Sequence, residues 1–209
     1  MSVFMLPEPD LLPDMEVNFL ELVEMRASVR HYAETSLSQR ELSCLLWCAQ
    51  GVKMVLPNGK SVRNVPAVGG SHMLETELIV HRVEGLAAGF YRFLPFDHAV
   101  LFLGRDCLDE AALRAQFSLE DDTAVRESAV TIVWSAVRER IAGKDDEAAR
   151  RCAYIESGHA SQNVCLAAQA MKIGTGSIRA WREKAVNLAY GFDGAKTFSV
   201  GAMTVGKME

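Results

Sequence analysis

Four segments of this 209-residue chain have residue types and spacings that could do chemistry. Arg26-Ala27-Ser28-Val29-Arg30 sets two guanidinium forks four residues apart around a hydroxyl, a set that can converge on one anion such as a phosphate. The same cations would equally suit the negative end of a preceding helix. Pro66-Ala67-Val68-Gly69-Gly70-Ser71-His72 has adjacent glycines that let backbone approach a flat ligand, although alone it reads as a flexible loop entering a strand. Gly174-Thr175-Gly176-Ser177-Ile178-Arg179 has the first half of a dinucleotide fingerprint. It lacks the third glycine and opens a strand instead of joining strand to helix, so that reading fails. Its alternative use is a strand edge whose N–H groups face a cofactor. Glu156-x-x-His159 matches half of a di-iron Glu-x-x-His pattern. No second copy exists, and His31, His72, His81 and His98 are scattered, whereas a metal site wants three or four converging ligands. His159 therefore reads as a hydrogen-bonded core histidine, and Cys44 and Cys48, one helical turn apart, as packing.

Elements of both periods must position these segments. Pro7, Pro9 and Pro13 mark residues 1–14 as an extended, poorly packed arm, and residues 15–209 form one domain. Asp14 can cap a helix with Val17, Phe19, Leu20 and Val23 on one face, ending near Arg26. Ser38-Gln39-Arg40-Glu41 fits a capping box before Leu42, Leu45, Leu46 and Ala49, with Gly51 as the stop. Pro57-Asn58-Gly59 marks a turn. Glu75–Val83, Gly89–Phe93 and Ala99–Leu103 read as an antiparallel meander. A helix near Leu108–Phe117 precedes a buried strand, Ala129–Val137. A long helix runs from about Asp145 to Met171, and its last third is apolar almost all round, which predicts burial on several sides. Strand Ile173–Trp181, helix Glu183–Tyr190 and a strand near Thr197–Ala202 complete an α+β domain with a mixed sheet.

Composition sets the limits. With 49% hydrophobic, 23% charged and 8% aromatic residues the chain is globular, and its length is cramped for separate dinucleotide and substrate domains. A net charge of −5 excludes a general nucleic-acid binder but not a local anion site. No segment approaches the ~20 apolar residues that span a bilayer. The first cation is Arg26, so no signal-peptide n-region is expected. Five cysteines without Cys-x-x-Cys predict free thiols in a reducing compartment, the cytoplasm.

The order of the motifs carries a resemblance. Arg26-x-Ser28-x-Arg30-x-Tyr32 resembles the opening of the nitroreductase family of flavoproteins, and Ser36–Ser43 with Leu45-Leu46-Trp47 and Ala49-Gln50-Gly51 is similar to its next helix. Val65-Pro66-Ala67-Val68-Gly69-Gly70-Ser71-His72, Gly85-Leu86-x-x-Gly89-x-Tyr91, Glu156-x-Gly158-His159-x-x-Gln162-Asn163 and Gly174-x-x-x-Ile178 resemble the branch containing azoline dehydrogenases. The match runs from about residue 24 to residue 203.

The resemblance implies an FMN-binding α-β-α fold with a mixed, mainly antiparallel sheet flanked by helices. It also implies a homodimer with flavin at the interface, NAD(P)H as co-substrate, and a small nitroaromatic- or quinone-like acceptor reduced by ping-pong hydride transfer. In that picture Arg26, Ala27, Ser28 and Arg30 hold phosphate or flavin-ring oxygens. Pro66, Ala67, Val68, Gly69 and Gly70 reach the flavin from the partner subunit. Gly176, Ser177, Ile178 and Arg179 line the ring with a backbone N–H near N5. The flavin carries the hydride chemistry, so no catalytic side chain is assigned. The sequence departs from the family in having Ala67 for Ser and Ser177 for Pro, and in leaving Lys207 as the late cation for the phosphate. Lys144-Asp145 stands where azoline dehydrogenases carry Lys-Tyr, and Cys152 replaces an aromatic. These departures count against oxidation of an azoline in a modified peptide, one alternative activity; a non-catalytic flavin- or ligand-binding protein is the other.

Overall fold

The chain runs β1 (Val3–Met5), α1 (Phe19–Met25), α2 (Gln39–Gln50), β2 (Val52–Val55), β3 (Ser61–Arg63), β4 (Leu74–Val80), β5 (Gly89–Leu94), β6 (Ala99–Gly104), α3 (Leu119–Glu127), β7 (Val130–Val137), α4 (Asp146–Ala170), β8 (Ile173–Ser177), α5 (Glu183–Tyr190) and β9 (Thr197–Lys207). These elements come from a computed structural model that describes residues 2–9, 18–105, 113, 115–117, 119–141 and 145–209.

Seven strands form one sheet in the order β1-β6-β5-β4-β7-β9-β8, and β2 and β3 form a separate hairpin across the Pro57-Asn58-Gly59 turn. Every ladder among the described residues is antiparallel. Parallel pairing is confined to single bridges, Ser28–Thr175 and Leu37–Val83, and these are what remain of a mixed sheet. Strand alternation sends Leu78, Tyr91, Ile132, Trp134 and Met203 to one face, where Leu42, Leu46, Ala153, Ala160 and Val164 of α2 and α4 cover them. Ile79, Phe90, Val133 and Ala202 face the other way, against Phe117, Val125 and Val186 from the α3 and α5 side. Helices thus flank both faces of a central sheet, the α-β-α arrangement that period-2 and period-3.6 patterns dictate together.

Local sequence accounts for most boundaries. The Ser38 hydroxyl accepts from Glu41 N–H at 3.2 Å, and the Glu41 carboxylate accepts from Ser38 N–H at 2.8 Å. Gly51 ends α2 without a left-handed turn. Glycine is required there because a Cβ would sit 2.3 Å from the Trp47 ring. Asp145 caps α4 through Ala148 N–H at 2.7 Å.

Four expectations change. Residues 3–5 are extended but pair with β6, and Leu6 is buried, because that edge offered unpaired backbone groups. Helix α1 starts at Phe19 with Asn18 as its cap, while Asp14 and Val17 lie outside the described residues, as does most of the helix expected near 108–117. Strand β8 stops at Ser177, and β9 continues to Lys207 because its polar Thr204 is buried and hydrogen-bonded to Gly176 O at 3.1 Å. In the last third of α4, Val164 and Ala168 are buried but Cys165, Leu166, Ala167 and Ala170 are only half-buried within one chain.

One buried charge sets a pH dependence. Glu77 is fully buried on β4, with Arg92 Nε 3.2 Å away and the Ser135 hydroxyl donating at 3.0 Å. Burial pushes its carboxyl up to about 7, against the pull of Arg92 and Ser135. The folded chain therefore binds a proton that the unfolded chain has released above the ordinary carboxylate range, so stability falls as pH rises toward 7. Glu77→Gln is expected to flatten that fall, by at most about 3 kcal/mol, measured by urea unfolding at pH 5 and 7.5. An unchanged slope would remove Glu77 as its source.

Candidate functional site

Two clusters are built against α4. In the first, residues 26–30 leave α1 and lie along β8. Ser28 bridges to Thr175, and Val29 N–H donates to Thr175 O at 2.7 Å. Tyr32 locks the segment, donating to Val29 O at 3.0 Å and sitting 2.7 Å from the Thr204 hydroxyl. Its burial pushes the phenol up to about 12, so it stays a neutral clamp. Gly176 makes this approach possible: a Cβ there would sit 2.3 Å from Val29 O and 2.5 Å from Arg30 Nη1.

The result is a shelf of donors. Arg26 is half-buried, Ser28 is exposed, and neither side chain has a hydrogen-bond or ionic partner among the described residues. Arg30 is half-buried and bonds through Nη1 to Val29 O at 3.2 Å. Ser177 and Arg179 are exposed nearby in sequence, while Ile178 turns into the second face of the core. The N–H groups of Ile178 and Arg179 are already committed, to Ala202 O at 2.9 Å and to Asp121 Oδ2 at 3.3 Å.

The second cluster is the loop 66–73. Val68–Gly70 form a single tight turn in which Gly69 and Gly70 take φ of +73° and +68° with open space around them, so glycine is needed for conformation and not for room. Pro66, Gly69 and Gly70 are exposed; Ala67 and Val68 are half-buried. Glu156 of α4 ties the loop down, accepting from Val68 N–H at 2.9 Å and Met73 N–H at 3.1 Å. The sequence places Glu156 in half of a metal motif that has no second copy and in a motif of the resemblance, neither of which says what its carboxylate holds. Its actual task, satisfying two backbone donors of a distant loop, leaves no periodic signal in the chain.

Within one chain the clusters stay apart. Glu156 holds the loop, whereas Thr175 reaches α4 at Cys165, its hydroxyl 3.4 Å from the thiol. Nine residues of helix separate these anchors, about 14 Å. Two expectations fail here. His159 is exposed on α4, not a core histidine. Lys207 is paired with Glu41, so its charge is spent at the start of α2. Burial pushes the Glu41 carboxyl up, but hydrogen bonds from Lys207 and Ser38 prevail and hold it below its ordinary range. Lys144 lies outside the described residues, as does Cys107; Cys44, Cys48, Cys152 and Cys165 are free thiols. No helix among the described residues is long and apolar enough to cross a membrane.

Comparison with known proteins places this arrangement. The family model described as the nitroreductase family matches residues 23–207, from within α1 to the end of β9. The chain belongs to the nitroreductase family. The chain is 29% identical over 177 residues to the nitroreductase-family protein MJ1384 of Methanocaldococcus jannaschii, covering 84% of this chain and 85% of that one. Its fold superposes on a nitroreductase-family crystal structure from Ralstonia eutropha with a TM-score of 0.80 at 19% identity, over 100% of this chain and 90% of the other. A Desulfovibrio desulfuricans relative solved in complex with FMN superposes with a TM-score of 0.60 at 17% identity, over 92% and 87% of the two chains. The chain is accordingly an oxidoreductase of the nitroreductase family with a mainly antiparallel α+β fold.

Proposed function

We propose that this chain is an FMN-dependent NAD(P)H oxidoreductase that works as a homodimer and reduces a small nitroaromatic- or quinone-like acceptor. The observation that carries the reading is the donor shelf. Arg26 and Ser28 stand beside Arg30 with no partner among the described residues, on a strand whose glycine leaves room for their segment and nothing larger. Such a set suits a phosphate and the electron-rich oxygens of a flavin. FMN supplies the two-electron chemistry when bound. The chain's own part is to bind the phosphate through Arg26, Ser28 and Arg30, to place positive charge where reduction adds negative charge, and to shield one face with the partner's loop 66–70.

The exposed faces of α4 and α1 support the dimer reading. Tyr154, Ile155, Gly158, His159 and Gln162 recur at helical spacing on the exposed side of α4, and α1 beside it exposes Phe19, Leu20, Val23 and Met25. A second copy packed across a two-fold axis would cover both. It would also carry one chain's loop 66–70 toward the other chain's shelf, spanning the ~14 Å of helix that separates the two clusters in one chain.

The test is one preparation. Protein supplied with FMN is expected to show a flavin absorption band and to sediment at twice 23.0 kDa. NADH or NADPH should bleach the band without oxygen, and a quinone or nitroaromatic should restore it. Bound flavin that neither nicotinamide reduces would refute the reductase reading in favour of a non-catalytic flavin protein. A thiazoline peptide is expected to keep its mass; loss of two hydrogens would move the assignment to the azoline dehydrogenases.

A further inference from the structure

The Gly69-Gly70 loop also lines a pocket of about 500 Å³, within the size range of small-molecule sites. Beside Ser61, Ser71 and a His72 whose charge burial and Arg63 disfavour, its polar lining carries three cations: Lys60 from the hairpin turn, Arg63 of β3 and Arg140 after β7. Each is held by a different part of the fold. Arg63 is buried, steered by Gln50 Oε1 at 2.7 Å and the Ser61 hydroxyl at 3.1 Å. Arg140 donates to His72 O at 3.2 Å and pairs with Glu75. Lys60 has no acidic partner among the described residues. His72 is 9% exposed, takes a left-handed φ of +44°, and has a buried Nδ1 without a hydrogen-bond partner.

The charges do not cancel. Glu75 answers Arg140, and Glu156 spends both oxygens on the loop's N–H groups. Burial and the proximity of Arg140 both disfavour the charge of Arg63, although Glu75 and Glu156 partly offset them. A pocket whose buried arginine is met by an amide and a hydroxyl, with exposed Lys60 and Arg140 at its wall, is set up for a ligand carrying negative charge. The remaining walls are apolar: Val68, Ile141 and Phe96, whose ring lies 5.7 Å from the Arg63 guanidinium.

We propose that this pocket is a second ligand site, separate from the shelf of residues 26–30 and 174–179, that takes a small organic anion: a phosphate monoester or carboxylate on a flat or apolar body. The proposal stands whether or not FMN binds the shelf. Calorimetric titration of the full chain with phenyl phosphate, benzoate and inorganic phosphate tests it. Saturable binding of phenyl phosphate is expected, tighter than inorganic phosphate because Phe96 and Ile141 contribute. It should persist in Arg26→Ala/Arg30→Ala, whose shelf no longer competes for the probe, and be weakened roughly tenfold or more when Lys60→Ala/Arg140→Gln are added, as loss of charge-assisted bonds predicts. Should the double variant fold poorly, Lys60→Ala alone, at an exposed residue, is expected to weaken binding about threefold with an unchanged melting temperature. Phenyl phosphate tighter than benzoate assigns a phosphate ligand, and the reverse order a carboxylate. The proposal is overturned if no probe binds at about 10 mM, weaker than any specific site here should be. It is equally overturned if binding is lost in Arg26→Ala/Arg30→Ala and kept in the Lys60 and Arg140 variants.

Discussion

Arg26→Ala combined with Arg30→Ala is expected to leave a folded protein that no longer retains FMN. Each guanidinium offers charge-assisted hydrogen bonds worth about 1.5–3 kcal/mol, so losing two should weaken binding by about 10² to 10⁴. The fold should tolerate the change, since Arg26 makes no hydrogen bond among the described residues and Arg30 bonds only to its neighbour's carbonyl. Flavin fluorescence titration alongside thermal unfolding separates the two effects. Arg30→Lys should fall between, because an ammonium keeps the charge but loses the planar fork. Wild-type FMN affinity in the double variant would mean that the shelf is not the phosphate site.

How far these residues could be read from the chain depends on whether their partners are near in sequence. The Ser38–Glu41 box is decided within four residues and lies where the sequence puts it, and the start of the long helix near Asp145 and the span of helix Glu183–Tyr190 are equally local. Glu156, Lys207 and His159 are different. Glu156 serves backbone groups 83 and 88 residues away, and Lys207 meets a carboxylate 166 residues away. No local pattern encodes such pairings: the sequence places Glu156 in half of a metal-type motif that has no second copy and in a family motif, and Lys207 as a late cation for a phosphate. His159 carries no local mark of its face: it lies on the exposed side of α4 with Tyr154, Ile155, Gly158 and Gln162. The donor shelf was legible because its arginines and its glycines are each local motifs. That they lie against each other, Ser28 on Thr175, follows only from the parallel bridge at the sheet's edge.

That bridge can be tested at a residue with no side chain. Gly176→Val is expected to destabilise the protein and to impair FMN binding together, unlike the arginine variants. The new Cβ would lie 2.3 Å from Val29 O, 2.5 Å from Arg30 Nη1 and 3.0 Å from the Thr204 hydroxyl. Arg30 is long and can swing away, but the Val29 carbonyl cannot, because Val29 N–H is tied to Thr175 O at 2.7 Å and its carbonyl receives the Tyr32 hydroxyl at 3.0 Å. Segment and strand must therefore separate. Overpacking costs roughly 1–3 kcal/mol, and a broken buried hydrogen bond about 1 more. In a chain of 209 residues that corresponds to a fall of roughly 4–16 °C in melting temperature. Gly176→Ala meets the same carbonyl with its one carbon, so it should show most of the effect, which distinguishes close approach from bulk. Arg26 and Arg30 would remain in the chain but leave their positions on β8, and FMN affinity should fall although no donor has been removed. If Gly176→Ala melts like wild type and binds FMN normally, strand β8 is not the shelf that positions these arginines.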